Sequence, residues 1–193
     1  SSGVDLKGQN ALFIDIGGGS TEIIIGTQSE PIFLQSLKLG AIRTTGTHVT
    51  PEKDGRISEE TLTRLRRYIG QEIVHIARNI KKCEIHQAYG SSGTILSLEA
   101  IAGSQKQFQG THIPGYIRIE ELDFLITFLA AFPLSIRREV QGLNPDRADI
   151  IIAGAIILHE VLKTTKMQGI EISSRSLRDG LVVDYISRIP AFS

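Results

Sequence analysis

Apolar residues near the start of the chain fall in short runs bounded by turn formers: Ala11 to Ile16, Glu22 to Thr27 and Pro31 to Leu37. Runs of this length, rich in isoleucine, predict three strands in an antiparallel meander, with Gln28-Ser29-Glu30 as the turn between the last two. From Ser58 the period changes. Leu62, Leu65, Ile69, Ile73, Ile76 and Ile80 are spaced by three and four and define one face of a long amphipathic helix. Ser58 suits its N-cap, and Glu59 and Glu60 suit the positive end of its dipole. Arg64, Arg67 and Arg78 fall on the opposite face, where solvation is the preferred reading over a polyphosphate track.

Further on, Ile85 to Tyr89 predicts a short strand, Gly90-Ser91-Ser92-Gly93 a loop, and Thr94 to Ala102 a helix. Gly103 to Gly115 reads as an irregular loop, and Glu120 to Phe132 as an amphipathic helix ended by Pro133. A strongly apolar helix is expected from Pro145 to about Lys163, with Asn144 and Pro145 as cap and first residue and Gly154 placed for close packing. Ile170 to Ser173 is a short strand, and Leu177 to Ile189 a last helix interrupted by Gly180. Three antiparallel strands followed by alternating strands and helices is the ribonuclease-H-like order. The expected fold is therefore α/β, a mixed sheet of three antiparallel and two parallel strands flanked by helices. Residues 1–9 read as a linker or cloning scar, and residues 10–193 as one domain.

The first hairpin carries the chemistry. Its tip is Asp15-Ile-Gly-Gly-Gly-Ser-Thr-Glu22. Consecutive glycines let the backbone approach a ligand and aim successive N–H groups at an anion. Gly17, Gly18 and Gly19 are therefore phosphate-binding candidates, with Ser20 and Thr21 as added hydroxyl donors. If Gly17 to Ser20 form the loop, Ile16 pairs with Thr21 and Asp15 faces Glu22. Two like charges directly opposite are destabilising unless a cation lies near them. Magnesium, which takes one or two carboxylates and fills its octahedron with water and phosphate oxygens, is the expected ion at Asp15 and Glu22. The plainer reading is a tight turn with two solvated acids, although such a turn needs only one or two glycines. Neither a P-loop nor a dinucleotide fingerprint is present, and this loop leads into a strand rather than a helix. Gly90, Ser91, Ser92, Gly93 and Thr94 form a second glycine loop, at a helix N-terminus, which serves either an anion or nucleotide site or a simple turn.

Composition narrows the classes. The chain has 193 residues, 41% hydrophobic and 22% charged, enough for one domain that folds without staples. No apolar stretch nears a membrane span of ~20 residues, and no signal sequence opens the chain. The single cysteine, Cys83, fits a reducing compartment, with the cytoplasm as the expected location. Basic and acidic residues number 21 each, so no global field recruits nucleic acid. The five histidines show no zinc spacing. Arg64, Arg67, Arg137, Arg138, Arg175 and Arg178 are candidates for a basic track.

Four motifs in order, Asp15-Ile-Gly-Gly-Gly-Ser-Thr-Glu22, Tyr89-Gly-Ser-Ser-Gly-Thr-Ile95, Arg147-x-Asp149-x4-Gly154 and Ser176-Leu-Arg-Asp-Gly180, resemble the Ppx/GppA phosphatases. That family comprises exopolyphosphatases and guanosine pentaphosphate phosphohydrolases of the actin-like ATPase superfamily. The Ser-Thr-Glu that follows the glycine triplet resembles this family, whereas other actin-like ATPases usually continue Thr-x-Asp. The resemblance implies two ribonuclease-H-like lobes with the active site in the cleft between them. It implies that Asp15 and Glu22 position magnesium or the attacking water, that Gly17 to Thr21 bind a phosphoryl group, and that Gly90 to Thr94 line the substrate channel or lie near a guanosine.

The family's upstream phosphate loop and catalytic glutamate have no equivalent here. The chain thus reads as the second lobe, lacking the N-terminal lobe of the same polypeptide, with half an active site and little or no turnover alone. A homodimer is expected at full length. The substrate is inorganic polyphosphate or guanosine pentaphosphate, and the reaction an in-line attack of water releasing orthophosphate. An actin-like ATP-binding or sugar-kinase lobe, and an interaction module on the same fold, are the competing readings.

Overall fold

The computed structural model describes residues 6, 8–27, 30–80 and 83–173. Strands β1 (Ala11–Ile16), β2 (Thr21–Gly26) and β3 (Pro31–Leu37) form the expected meander. Helices α1 (Ala41–His48) and α2 (Glu59–Ile80) follow, then β4 (Gln87–Gly90) and α3 (Gly93–Ser104). Next come β5 (Tyr116–Arg118), α4 (Ile119–Ala130), α5 (Leu134–Arg137), α6 (Ile151–Thr165) and β6 (Gly169–Ile172). The sheet order is β3-β2-β1-β4-β6-β5, with β1, β4 and β6 parallel and the other pairings antiparallel.

Alternation along the strands sorts the core. Leu12, Ile14, Ile16, Ile23 and Ile25 join α2, α3, α4 and α6 in the main cluster, whereas Ala11, Phe13, Ile24 and Tyr89 form a smaller one on the other face. Leu6, within the expected linker, is buried against that smaller cluster. Helix α6 is buried at every position from Ile151 to Leu162, so it is apolar nearly all round, with the other helices packed about it. Helix α2 begins as expected, with the Ser58 hydroxyl accepting from the Thr61 N–H at 3.3 Å. Its Arg64 and Arg67 are exposed. No described helix is long and apolar enough to cross a membrane.

Several expectations need correction. A sixth strand, β5, lies at the sheet edge beyond the loop expected over 103–115, because three residues, Tyr116 to Arg118, are too few to show a period. That loop also holds a 3-10 turn at Lys106–Phe108. The helix expected from Pro145 is divided. Pro145–Arg147 is a separate 3-10 turn whose Asn144 side chain accepts from the Asp146 N–H at 3.0 Å, and α6 starts only at Ile151. Between them the chain turns tightly, with Arg147, Ala148 and Ile150 N–H groups donating to the carbonyls three residues back, and the Arg137 guanidinium donates to the Ala148 carbonyl at 3.2 Å. Arg137 is itself 1% exposed and cannot join a surface basic track. The helix expected over 177–189, the Ser176-to-Gly180 motif, Arg175 and Arg178 lie outside the described residues.

Gly154 sits where α6 meets two other helices. A Cβ there would overlap the Thr94 methyl of α3 and stand 3.6 Å from the Ala41 Cβ of α1. Gly154→Ala is expected to destabilise the protein by ~1–3 kcal/mol through overpacking, read as a lower urea midpoint with the slope unchanged.

A polar network ties α2 and α4 to α6. Arg66 reaches Asp123 at 3.0 Å, and the His159 ring nitrogens lie 3.1 Å from Asp123 and from Glu160. Burial opposes ionisation of Glu160, but the His159 hydrogen bond and the charges of Lys163, His159 and Arg66 outweigh it and hold its pKa below the ordinary value. A depressed carboxyl pKa contributes stability above the unfolded-state value, and that contribution is lost as pH falls through the folded value. Glu160→Gln is expected to flatten the acid side of the stability curve, measured as urea midpoints from neutral to strongly acid buffer.

Candidate functional site

The β1–β2 ladder has the register that the hairpin tip requires. Ile16 pairs with Thr21 and Asp15 with Glu22, so the two carboxylates share a face of the sheet. The loop between them closes through the Gly17 N–H, which donates to the Ser20 carbonyl at 2.9 Å. Helix α1 grips the other side. The Ala41 and Arg43 N–H groups donate to the Gly17 and Gly18 carbonyls at 2.9 and 3.0 Å, and Arg43 Nε donates to the Gly19 carbonyl at 3.0 Å. Gly40 makes this approach possible, since a Cβ there would overlap the Gly18 carbonyl.

Steric demand for glycine is slight at Gly18 and Gly19, whereas a Cβ on Gly17 would stand 3.3 Å from the Ser20 carbonyl oxygen. None of Gly17, Gly18 and Gly19 is in the left-handed region. A Cβ on Gly18 would meet only the end of the exposed Ile42 side chain, at 2.9 Å, and one on Gly19 would meet nothing within 4 Å. Glycine costs conformational entropy relative to alanine, so the fold itself gives little reason for it at Gly18 and Gly19.

Beside the loop is a cavity of about 410 Å³. Asp15, Gly17 and Gly18 form one side, Ser91, Ser92, Gly93 and Thr94 another, and Arg147 and Ile150 a third, with Ala41 and Ile42 at the start of α1. Helices α1 and α3 thus present their N-termini to the cavity, and Ile150, the residue before α6, places a third there. Each such end carries partial positive charge, although at α1 the Ala41 and Arg43 amides are already taken by the glycine-loop carbonyls. Ser92 caps α3, accepting from the Ile95 N–H at 3.3 Å. The Arg147 guanidinium lies against Gly93, where a Cβ would stand 2.7 Å from its Cζ. Arg147 makes no ion pair among the described residues.

The candidates therefore separate. Asp15, Gly17, Gly18, Ser91, Ser92, Gly93 and Thr94 line one cavity, while Gly19, Ser20 and Glu22 do not. Thr21 and Gly90 also lie off that lining. Thr21 is fully buried and its hydroxyl donates to the Leu39 carbonyl, which ties the hairpin to the segment before α1. At Gly90 a Cβ would crowd Ile95 and Ile170 at 2.6 and 2.8 Å, and its carbonyl accepts from Ser173. Ser20 and Ser36 both donate to Glu22 Oε1, at 2.6 and 3.0 Å, and fix the carboxylate in place. No group of three or more His, Cys, Asp or Glu able to hold a metal occurs among the described residues. Two opposed carboxylates next to an anion cavity fit an oxygen-seeking ion such as magnesium and not a zinc cage. Arg147 and Gly40 went unassigned in the sequence. Arg147 stood only in a motif of resemblance, though a lone cation between a capped turn and an apolar helix is a usable signal.

Residues 2–189 match the model of the Ppx/GppA phosphatase family. The chain belongs to that family. Exopolyphosphatase 1 of Mycobacterium tuberculosis is 29% identical over 173 residues, which are 89% of this chain and 49% of the relative. A guanosine-5'-triphosphate,3'-diphosphate pyrophosphatase of Aeromonas hydrophila is 27% identical over 173 residues, 90% of this chain and 33% of the relative. The crystal structure of an exopolyphosphatase from Cytophaga hutchinsonii superposes with a TM-score of 0.76 at 24% identity, covering 95% of this chain and 59% of that one. The likeness to solved Ppx/GppA enzymes shows a shared fold, the ribonuclease-H-like one that the order of elements implies. The chain spans about half the length of the first curated relatives it matches.

Paired melting curves test the division of labour among the glycines. Gly40→Ala is expected to lower stability by ~1–3 kcal/mol by forcing α1 off the loop. Gly19→Ala is expected to be neutral or to stabilise by up to ~1 kcal/mol.

Proposed function

We propose that this Ppx/GppA chain forms one wall of an active site that hydrolyses the terminal phosphoanhydride bond of inorganic polyphosphate and releases orthophosphate. The carrying observation is the cavity itself, where helix N-termini and Arg147 converge beside a glycine loop whose open tip the fold does not require. Positive ends of helices and a guanidinium with no ion pair among the described residues favour a polyanion. The Gly17–Gly18 backbone would hold the terminal phosphoryl group, and Arg147 would take up charge that develops on it. Asp15 and Glu22 would hold magnesium, which when bound neutralises phosphoryl oxygens. Glu22, fixed by two serine hydroxyls, would orient the attacking water or its metal. The general base would come from the other half of the longer protein, in line with the relatives' length. We place the enzyme in the cytoplasm, in keeping with its single cysteine.

A second reading, guanosine pentaphosphate as substrate, draws on Ile42, which is 62% exposed and lines the cavity with Ile150. Apolar surface next to an anion site suits a nucleobase attached to a phosphate chain.

The test is magnesium-dependent orthophosphate release by the full-length protein from polyphosphate and from guanosine pentaphosphate. Release from polyphosphate supports the first reading, and preference for the nucleotide the second. Tight ATP binding without release from either would point instead to an ATP-binding lobe. Glu22→Ala is expected to lower turnover on the order of a hundredfold or more, and an active variant would remove Glu22 from the mechanism.

A further inference from the structure

Arg137, at the end of α5, is the largest fully buried side chain of the described residues, and it makes no ion pair among them. Its donors go to backbone carbonyls instead. Nε donates to Leu129 at 2.8 Å, NH2 to Gly55 at 2.9 Å and Phe132 at 3.0 Å, and NH1 to Ala148 at 3.2 Å. An apolar side chain often stabilises such a position as well or better, so stability alone is a weak reason for a cation. Location supplies a better one. Ala148 directly follows Arg147, in a link held otherwise by the Asn144 cap and short turns: Asp146 N–H to the Asn144 side chain, Arg147 N–H to the Asn144 carbonyl, Ala148 N–H to Pro145, and Ile150 N–H to the Arg147 carbonyl.

We propose that Arg137 is a positioning residue for Arg147, fixing through the Ala148 carbonyl the turn that holds the Arg147 guanidinium over Gly93 and in the cavity. The proposal rests on the reading of that cavity as an anion site. Burial pulls the Arg137 pKa down and the Asp149 charge opposes that pull, so the Arg147-x-Asp149 segment also supplies a compensating charge to the buried guanidinium. One short segment thus faces two cations, presenting its own arginine to the ligand and its aspartate's field to the anchor.

A double-mutant cycle on the full-length protein decides it, with binding of inorganic tripolyphosphate followed by calorimetry. Arg147→Ala is expected to weaken binding about tenfold or more. Arg137→Lys or Arg137→Met, whichever keeps the native far-ultraviolet spectrum, is expected to weaken it to a similar degree with the stoichiometry unchanged. Adding it to Arg147→Ala should cause little further loss. A structural role alone would lower the stoichiometry and leave the dissociation constant as it was, and that result overturns the proposal. Additive losses, or unfolding of both Arg137 variants, overturn it as well. If Arg147→Ala binds normally, the anion-site reading fails first, whatever the Arg137 variants do.

Discussion

Three helices can bring their N-termini to one cavity only because α6 has no side chain at Gly154, where Thr94 of α3 and Ala41 of α1 come against it. The arrangement crowds partial positive charges of like sign beside the Asp15 carboxylate. It is held by the apolar burial of α6, whose residues from Ile151 to Leu162 are all enclosed. Core packing thereby keeps these helix ends together. The neutral net charge of the chain hides this local field entirely.

Within the site, the backbone is used twice over. The carbonyls of Gly17, Gly18 and Gly19 face α1 and are satisfied there, so the loop is braced from behind without any side chain of its own. Thr21 adds a side-chain brace to Leu39. A loop made stiff in this way can hold a ligand with little ordering cost at binding.

The hairpin was legible in the sequence down to its register, because glycines fix the loop and alternation fixes which residues share a face. Long periodic segments such as α2 were equally plain. Helix α1 was not, since Ala41 to His48 includes three threonines and Gly46, all poor helix formers, and it is helical because its first amides dock on the glycine loop. The break before α6 was also hidden, since the tight turns over 144–150 leave no interruption in the apolar pattern that follows. The glycine loops were found from local composition. Arg147 and Gly40 were not assigned, because their roles arise only when separate segments meet.

The two kinds of charged group in the site are mounted differently. Asp15 and Glu22 face each other on one rung of the β1–β2 ladder inside a six-stranded sheet, where neither can shift without the other. Arg147 hangs on a one-turn 3-10 element between two helices. Changes in the 3-10 element can therefore move the guanidinium while the carboxylate pair stays in place. The mount of the carboxylates and the mount of the guanidinium are separable parts of one small domain.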